Sequence, residues 1–503
     1  MEDLFIATSF LGIQRVIEIL LSLIRVKVSA IYLNPSGVGI VSQLGNFKGF
    51  IQQFINLGVG SGITKYVAEY RGNQDTKSLQ KLLYTVTTLF LITGGIGIVI
   101  FILLSPVLAE AVLADRKKSL FIILIGAAVP IAAQFEVISR FLQGLLKVRA
   151  LAVLSIVSSA LSLAITVPLI MQENLFGAIL SIPISGLISF GIGQIYLHRI
   201  FLREYGIKLR LMVPDKEILF NLAKFGGSRG VISIVQSLTI LTIRRVIIGQ
   251  LGTSSNGLYQ VAYTVSNNYL GIIFTSIWLF GMPKSATMVN NDQEVIKFQN
   301  NAARLLLVIL MPLISVILIS RELWIPILYS VSFLSAAELL GWQLVGDLIR
   351  ALGWTPKFTL ITKEHFGFLI YSQLVHFGSQ LGLFLLLFPR LGLISAPIAY
   401  AASYFVLTLI TLIRQKIVEG FSYSERNWKL FFASAGFLLA VLGLNYYFRE
   451  ELVWRLGLYS VFFCGWAVYV VDKVEVKRIS QIVRNYIRGQ YPTNNSENDD
   501  LMN

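Results

Sequence analysis

The feature that most constrains this chain is a succession of apolar runs, each about twenty residues or longer, joined by short basic connections. About 20 residues of helix, rising 1.5 Å each, cross the hydrocarbon core of a bilayer. Runs of this kind are read at about 4–31, 38–62, 79–104, 119–143, 150–171, 175–197, 221–247, 256–280, 302–320, 333–353, 366–388, 391–413, 428–448 and 455–472. The expected fold is therefore all-α and membrane-integral, with about fourteen transmembrane helices. Composition supports this reading, since 55% of the 503 residues are hydrophobic, 14% are charged and the mean hydropathy is +0.71. A soluble domain carries about 25% charged residues, and its core could not hide this much apolar surface.

The formal charge of +15 would suggest nucleic acid on a soluble protein. Here the basic residues gather in alternate connections. One set holds Lys65, Arg71, Lys77 and Lys81, then Arg140, Lys147 and Arg149, then Arg199 through Lys224; the intervening set holds few. That is the positive-inside pattern of a plasma-membrane protein. It puts both termini in the cytoplasm and argues against a nucleic-acid partner. Cys464 is the single cysteine, and His198, His365 and His376 are scattered, so no disulfide, metal site or cofactor is expected. Residues 1–3 lack the basic start of a cleavable signal. Residues 473–490 read as a basic amphipathic helix on an anionic leaflet, and 491–503 as a disordered tail.

An internal repeat organises the chain. At an offset of about 218 residues, AIYLNPSGVGIVSQ (30–43) lines up with IGQLGTSSNGLYQV (248–261), Leu33 on Leu251 and Gly39 on Gly257. The same offset sets GITKYVAEYRGNQD (62–75) against FGMPKSATMVNNDQ (280–293). An offset of six helices keeps both repeats facing the same way, related by an axis along the membrane normal. The expected organisation is a six-helix bundle over 1–200, a cytoplasmic linker over 201–220, a second bundle over 221–415, and two appended helices over 428–472. A substrate path would run between the bundles.

Charged side chains inside spans cost about 2.5–3.5 kcal/mol each on insertion scales, so they call for a partner or a wet cavity. Lys48 lies mid-span on a stripe with Gln52 and Asn56, which points to a polar cavity. Arg15 and Glu18 share one helical face and fit either a buried ion pair or a substrate contact. Arg25 and Lys27 near the end of the first span have counterparts in Arg244 and Arg245 of the seventh. They either snorkel to the interface or form a cationic mouth. Arg229 is equally open, Glu136 and Arg140 read as a helix-stabilising i, i+4 pair, and Asp347 with Arg350 is a coupling site or a second such pair. The balance is cationic, which suits an anionic substrate, because guanidinium forks pair bidentately with phosphate.

NPSGVG (34–39), GITKYVAEYRGN (62–73) and GWQLVGD (341–347) resemble the O-antigen and enterobacterial-common-antigen translocases. These are lipid-linked oligosaccharide flippases of the multidrug/oligosaccharidyl-lipid/polysaccharide exporter superfamily, and the resemblance covers most of the first 415 residues. It implies a V-shaped, MATE-like pair of six-helix bundles in the bacterial inner membrane. The implied task is to move undecaprenyl-diphosphate-linked oligosaccharide from the inner to the outer leaflet. It implies contacts with membrane lipids, and a polysaccharide polymerase as a partner. Two helices beyond the family's common twelve, and the basic tail, depart from its pattern. An ion-coupled exporter of small solutes is the alternative, although the expected carboxylate excess is missing. A membrane enzyme of glycan assembly would need a sizeable outer loop, and the longest, about 105–119, is short.

Overall fold

The computed structural model describes residues 2–56, 59–206, 213–448 and 451–470. The segments read as a basic amphipathic helix and disordered tail, 473–503, lie outside them. Among the described residues there are helices and no strand. They are α1 Glu2–Asn56, α2 Val59–Gly72, α3 Thr76–Leu113, α4 Ser119–Gly144, α5 Val148–Tyr205, α6 Lys216–Thr264, α7 Gly271–Ala286 and α8 Asp292–Ile319. There follow α9 Arg321–Leu328, α10 Ala337–Leu352, α11 Lys357–Thr362, α12 Phe366–Leu391, α13 Ser395–Glu419, α14 Glu425–Tyr447 and α15 Leu452–Val470. Eight described stretches are long and apolar enough to cross a bilayer, up to 58 residues each. Fourteen spans remains the sequence expectation.

Helix starts follow local chemistry. Asp75 caps α3 by accepting from Ser78 N at 3.0 Å, and Asp215 caps α6 by accepting from Glu217 N and Ile218 N, both at 3.0 Å. Such caps satisfy amides that a helix leaves orphaned. Asp215 also takes an ion pair from Lys81 at 2.6 Å, tying the connection before α6 to α3.

The longest helices are broken inside. Non-helical backbone falls at Asn34 in α1, Asn174 in α5 and Gly252 in α6. A Cβ on Gly177 would come within 1.9 Å of Leu169 O. Eight residues along a straight helix span about 12 Å, so the chain folds back at Asn174.

These breaks carry the repeat. Asn34 (φ 55°) and Gly252 (φ 83°), Leu146 (φ 57°) and Glu364 (φ 60°), and Asn174 (φ 47°) and Gly392 (φ 57°) form three positive-φ pairs, each 218 residues apart. At the first pair ψ is 180° and 169°, and at the third it is −122° and −133°. The same backbone turns recur at the offset read from the letters, although only one member in each of two pairs is glycine.

The two repeated segments cross where the offset places equivalent glycines. A Cβ on Gly39 would fall 2.0 Å from Thr253 O, and one on Gly257 would fall 1.9 Å from Pro35 O. Only hydrogen fits there. Ser36 and Thr253 share a 2.6 Å hydrogen bond across the crossing, and Asn256 Nδ2 donates to Gly39 O at 2.7 Å. In a bilayer lipid is as apolar as leucine, so close approach of small residues and interhelical hydrogen bonds hold helices together.

By compactness the chain divides into two units. The larger is Met1–Ala302 with Ser320–Ser422, and the smaller is Ala303–Ile319 with Tyr423–Asn503. Inside the smaller unit Tyr459 shares a 3.0 Å hydrogen bond with Ser315, Asn445 Nδ2 donates to Leu318 O at 3.3 Å, and Trp466 Nε1 donates to Ser434 at 3.1 Å. Most of α8 thus packs with α14 and α15.

Candidate functional site

The larger unit encloses a cavity of about 770 Å³, walled by α1, α4, α5 and the α6 segment after Gly252, together with Tyr329. Three cations line it: Arg25 and Lys48 from α1 and Arg140 from α4. Arg140 is matched by Glu136 at 3.1 Å, whereas Arg25 and Lys48 have no carboxylate within ion-pair distance among the described residues. Gln52 also lines this cavity, so Lys48 and Gln52 of the polar stripe share one hollow. The side chains of Asn56 and Arg229 lie outside the described residues.

Hydroxyls make up much of the remaining polar wall. Ser181, Ser185 and Ser189 recur at i, i+4 and i+8 along α5 after its fold-back, facing Ser162 and Thr166 from before it. Sequence reasoning passed over them because a serine is cheap to bury, yet their fourfold spacing was a readable signal. Glu136 and Arg140, expected to be a helix-stabilising pair, are paired and also form cavity wall.

The other basic positions are placed differently. Lys27 Nζ donates to Pro326 O at 2.8 Å and Tyr329 O at 2.9 Å, closing the C-terminal carbonyls of α9. Arg245 Nε donates to Glu110 O at 3.0 Å, with the Glu110 carboxylate 3.8 Å from Nη2. Arg244 is fully buried. Its guanidinium donates to Ser42 at 3.1 Å, Asn256 at 3.2 Å and Gln260 at 2.6 Å, and lies 5.1 and 4.9 Å from the ring centres of Tyr259 and Tyr263. Ser42 and Gln260 line the cavity themselves, so Arg244 sits one layer behind its wall. Arg15 and Glu18 pair at 3.4 Å and line a second cavity of about 460 Å³.

Asp347 and Arg350 lie apart from both hollows, in α10. Asp347 is completely buried, and Ser266 and Tyr400 each donate to its Oδ1 at 2.9 Å, while its Oδ2 has no hydrogen-bond partner among the described residues. Arg350 reaches Oδ1 at 3.6 Å and stacks 4.2 Å over Phe274 and 4.9 Å over Trp354. Ser266 belongs to a π-helical turn, Val265–Leu270, a distortion often found at functional positions.

A repeated helical scaffold that crosses the membrane several times and encloses a cationic, hydroxyl-lined cavity defines a polytopic membrane protein of the transporter class. The model of the family described as "Polysaccharide biosynthesis protein" matches residues 7–283, more than half of the chain, and the chain belongs to that family. The lipid III flippase of Escherichia coli (strain K12) is 20% identical over 385 residues, 76% of this chain and 90% of that protein. Among solved structures, the lipid II flippase MurJ in an inward closed conformation aligns with a TM-score of 0.70 at 11% identity, over 92% of this chain and 98% of that one. An inward-facing MATE family multidrug resistance transporter of the MOP superfamily aligns at 0.65 and 16%, covering 82% and 98%. The fold is thus MATE-like, in agreement with the expectation from sequence.

Proposed function

We propose that this chain is a flippase that moves an undecaprenyl-diphosphate-linked oligosaccharide from the inner to the outer leaflet of a bacterial inner membrane. The observation that carries the reading is the cavity whose Arg25 and Lys48 have no carboxylate partner among the described residues. A cation held without a counter-ion in low dielectric is a strong attractor for phosphate oxygens. The diphosphate binds there while the polyprenyl chain stays in lipid, and the cavity's charges and hydroxyls replace the head group's lost hydration. The two bundles, 1–200 and 221–415 joined by the basic linker, rock about the Gly39–Gly257 crossing to change the exposed side. Both termini face the cytoplasm, and the two last helices are the place where a polysaccharide polymerase would dock.

The test is leaflet exchange of the lipid-linked oligosaccharide in liposomes holding the purified protein. Lys48→Ala and Arg25→Ala should each slow exchange by about tenfold or more, the loss of one charge-assisted contact of about 1.5–3 kcal/mol. Exchange that both variants leave at the wild-type rate overturns the assignment of the diphosphate.

An ion-coupled exporter of small solutes is the second reading, favoured by the MATE likeness and by Asp347. In either reading Asp347 is the coupling residue, its free Oδ2 taking a proton or monovalent cation as Arg350 withdraws. Asp347→Asn should remove the dependence of transport on an imposed ion gradient; transport that stays gradient-dependent refutes this role.

A further inference from the structure

The second cavity shares Arg25, Phe135 and Ser162 with the first, so the two are neighbouring chambers with a common wall. Their chemistries differ. The larger holds three cations against one carboxylate, and the smaller, beyond the shared Arg25, holds a balanced pair, Arg15 and Glu18 at 3.4 Å.

The rest of the smaller chamber's polar wall is uncharged. Ser155, Ser158, Ser159 and Ser162 come from α5 at spacings of three and four, which put them on one helical face. α1 answers with Arg15, Glu18, Ser22 and Arg25 at the same spacing, so two polar stripes line one hollow. Ser158 is only 8% exposed, yet its Oγ has no hydrogen-bond partner among the described residues, and the Tyr269 hydroxyl is in the same position. A serine inside an apolar helix ordinarily bonds back to its own turn, as Ser139 does to Phe135 O at 3.0 Å. Ser158 does not, and its hydroxyl stands in the chamber wall without a partner among the described residues.

The occupant is polar and close to neutral, donates and accepts many hydrogen bonds, and has apolar patches for Phe135 and Tyr269. A polyprenyl chain does not match a wall of hydroxyls, and a diphosphate does not match a balanced ion pair. A sugar matches both the hydroxyls and the rings.

We propose that the smaller chamber is a glycan subsite: the sugars nearest the diphosphate lie between the Arg15–Glu18 pair and the serine face of α5. The diphosphate then lies across the shared wall, at Arg25 and Lys48, and Arg25 stands at the junction. Glu18 accepts from sugar hydroxyls, and Ser158 takes up the bond its own helix does not supply. This inference rests on the flippase reading.

The experiment compares two lipids on the purified protein in nanodiscs: undecaprenyl diphosphate alone, and the same lipid carrying a short neutral oligosaccharide. The readout is the ratio of their dissociation constants. Wild type should prefer the glycosylated lipid by about tenfold or more, a difference of about 1.4 kcal/mol. Glu18→Gln and Ser158→Leu, the latter filling the chamber, should each bring the ratio close to one. Lys48→Ala should weaken both lipids together. Melting temperatures report whether each variant is folded, and Glu18→Gln, which keeps shape and volume, decides the matter if Ser158→Leu does not fold. A wild-type preference that both subsite variants retain overturns the glycan subsite and leaves the flippase standing. A wild type that binds neither lipid overturns both.

Discussion

Gly39 and Gly257 offer the sharpest test of the fold. Replacing Gly39 by alanine places a methyl 2.0 Å from Thr253 O and 2.9 Å from Gly257 N, and backbone cannot step aside as a flexible side chain would. The helices must part by more than 1 Å to restore an ordinary contact of about 3.5 Å. Overpacking of this kind costs about 1–3 kcal/mol. The parting also stretches the Ser36–Thr253 and Asn256–Gly39 hydrogen bonds, worth about 0.5–1.5 kcal/mol each. The sum is about 2–6 kcal/mol for Gly39→Ala, and Gly257→Ala should match it, because its methyl meets Pro35 O at 1.9 Å in the same crossing. Once the helices are apart the second methyl meets less resistance, so the double variant should cost clearly less than the sum of the two. Gly95→Ala in α3, with nothing within 4 Å of its Cβ, is the control and should be neutral or stabilising by up to about 1 kcal/mol. Reversible unfolding in detergent micelles, followed by circular dichroism, measures all four. Strict additivity, or a Gly39→Ala cost no larger than the control's, would refute the crossing as the joint between halves.

Two further outcomes concern the connections. The Lys81 ammonium, assisted by the amides of Ile218 and Glu217, holds the Asp215 carboxyl below its ordinary value of 3.8. A depressed carboxylate stabilises the fold fully above that value and loses its contribution as pH falls through the lower folded one. Asp215→Asn should therefore lower the melting temperature at pH 7, and the gap to wild type should close below pH 3.8; a gap constant with pH refutes the pairing. Asn174→Gly should stabilise by about 1 kcal/mol. It relieves a positive-φ conformation that costs a non-glycine residue about 1–3 kcal/mol, against about 0.5–1 kcal/mol of added chain entropy. Chemical denaturation checks it, and a loss of stability would refute the strain.

The scaffold was legible in the sequence to the extent that lipid dictates it. Apolar length, the repeat offset and the Lys48–Gln52 stripe could all be read, because a bilayer exacts a cost from each misplaced charge. That cost says a charge needs company but does not name the company. Lys27 found the carbonyls closing α9, Arg245 found Glu110, and Arg244 found amides and tyrosines from its own repeat half together with Ser42 from the other. The serine rows of α5 escaped notice because hydroxyls can satisfy themselves within a helix, and only the folded arrangement shows that Ser158 does not. The association of α8 beyond Ala302 with α14 and α15 was likewise invisible, since helix packing in lipid leaves little periodic trace.

The three positive-φ pairs have a consequence for how such a chain drifts. Each pair keeps its backbone turn while its residues differ: Asn or Gly, Leu or Glu. What the two repeats share at these positions is therefore a set of chain-reversal angles rather than letters, together with one glycine crossing. Solved structures keep the fold at 11 to 16% identity, so for proteins of this kind the number of shared letters is a poor clock for shared design.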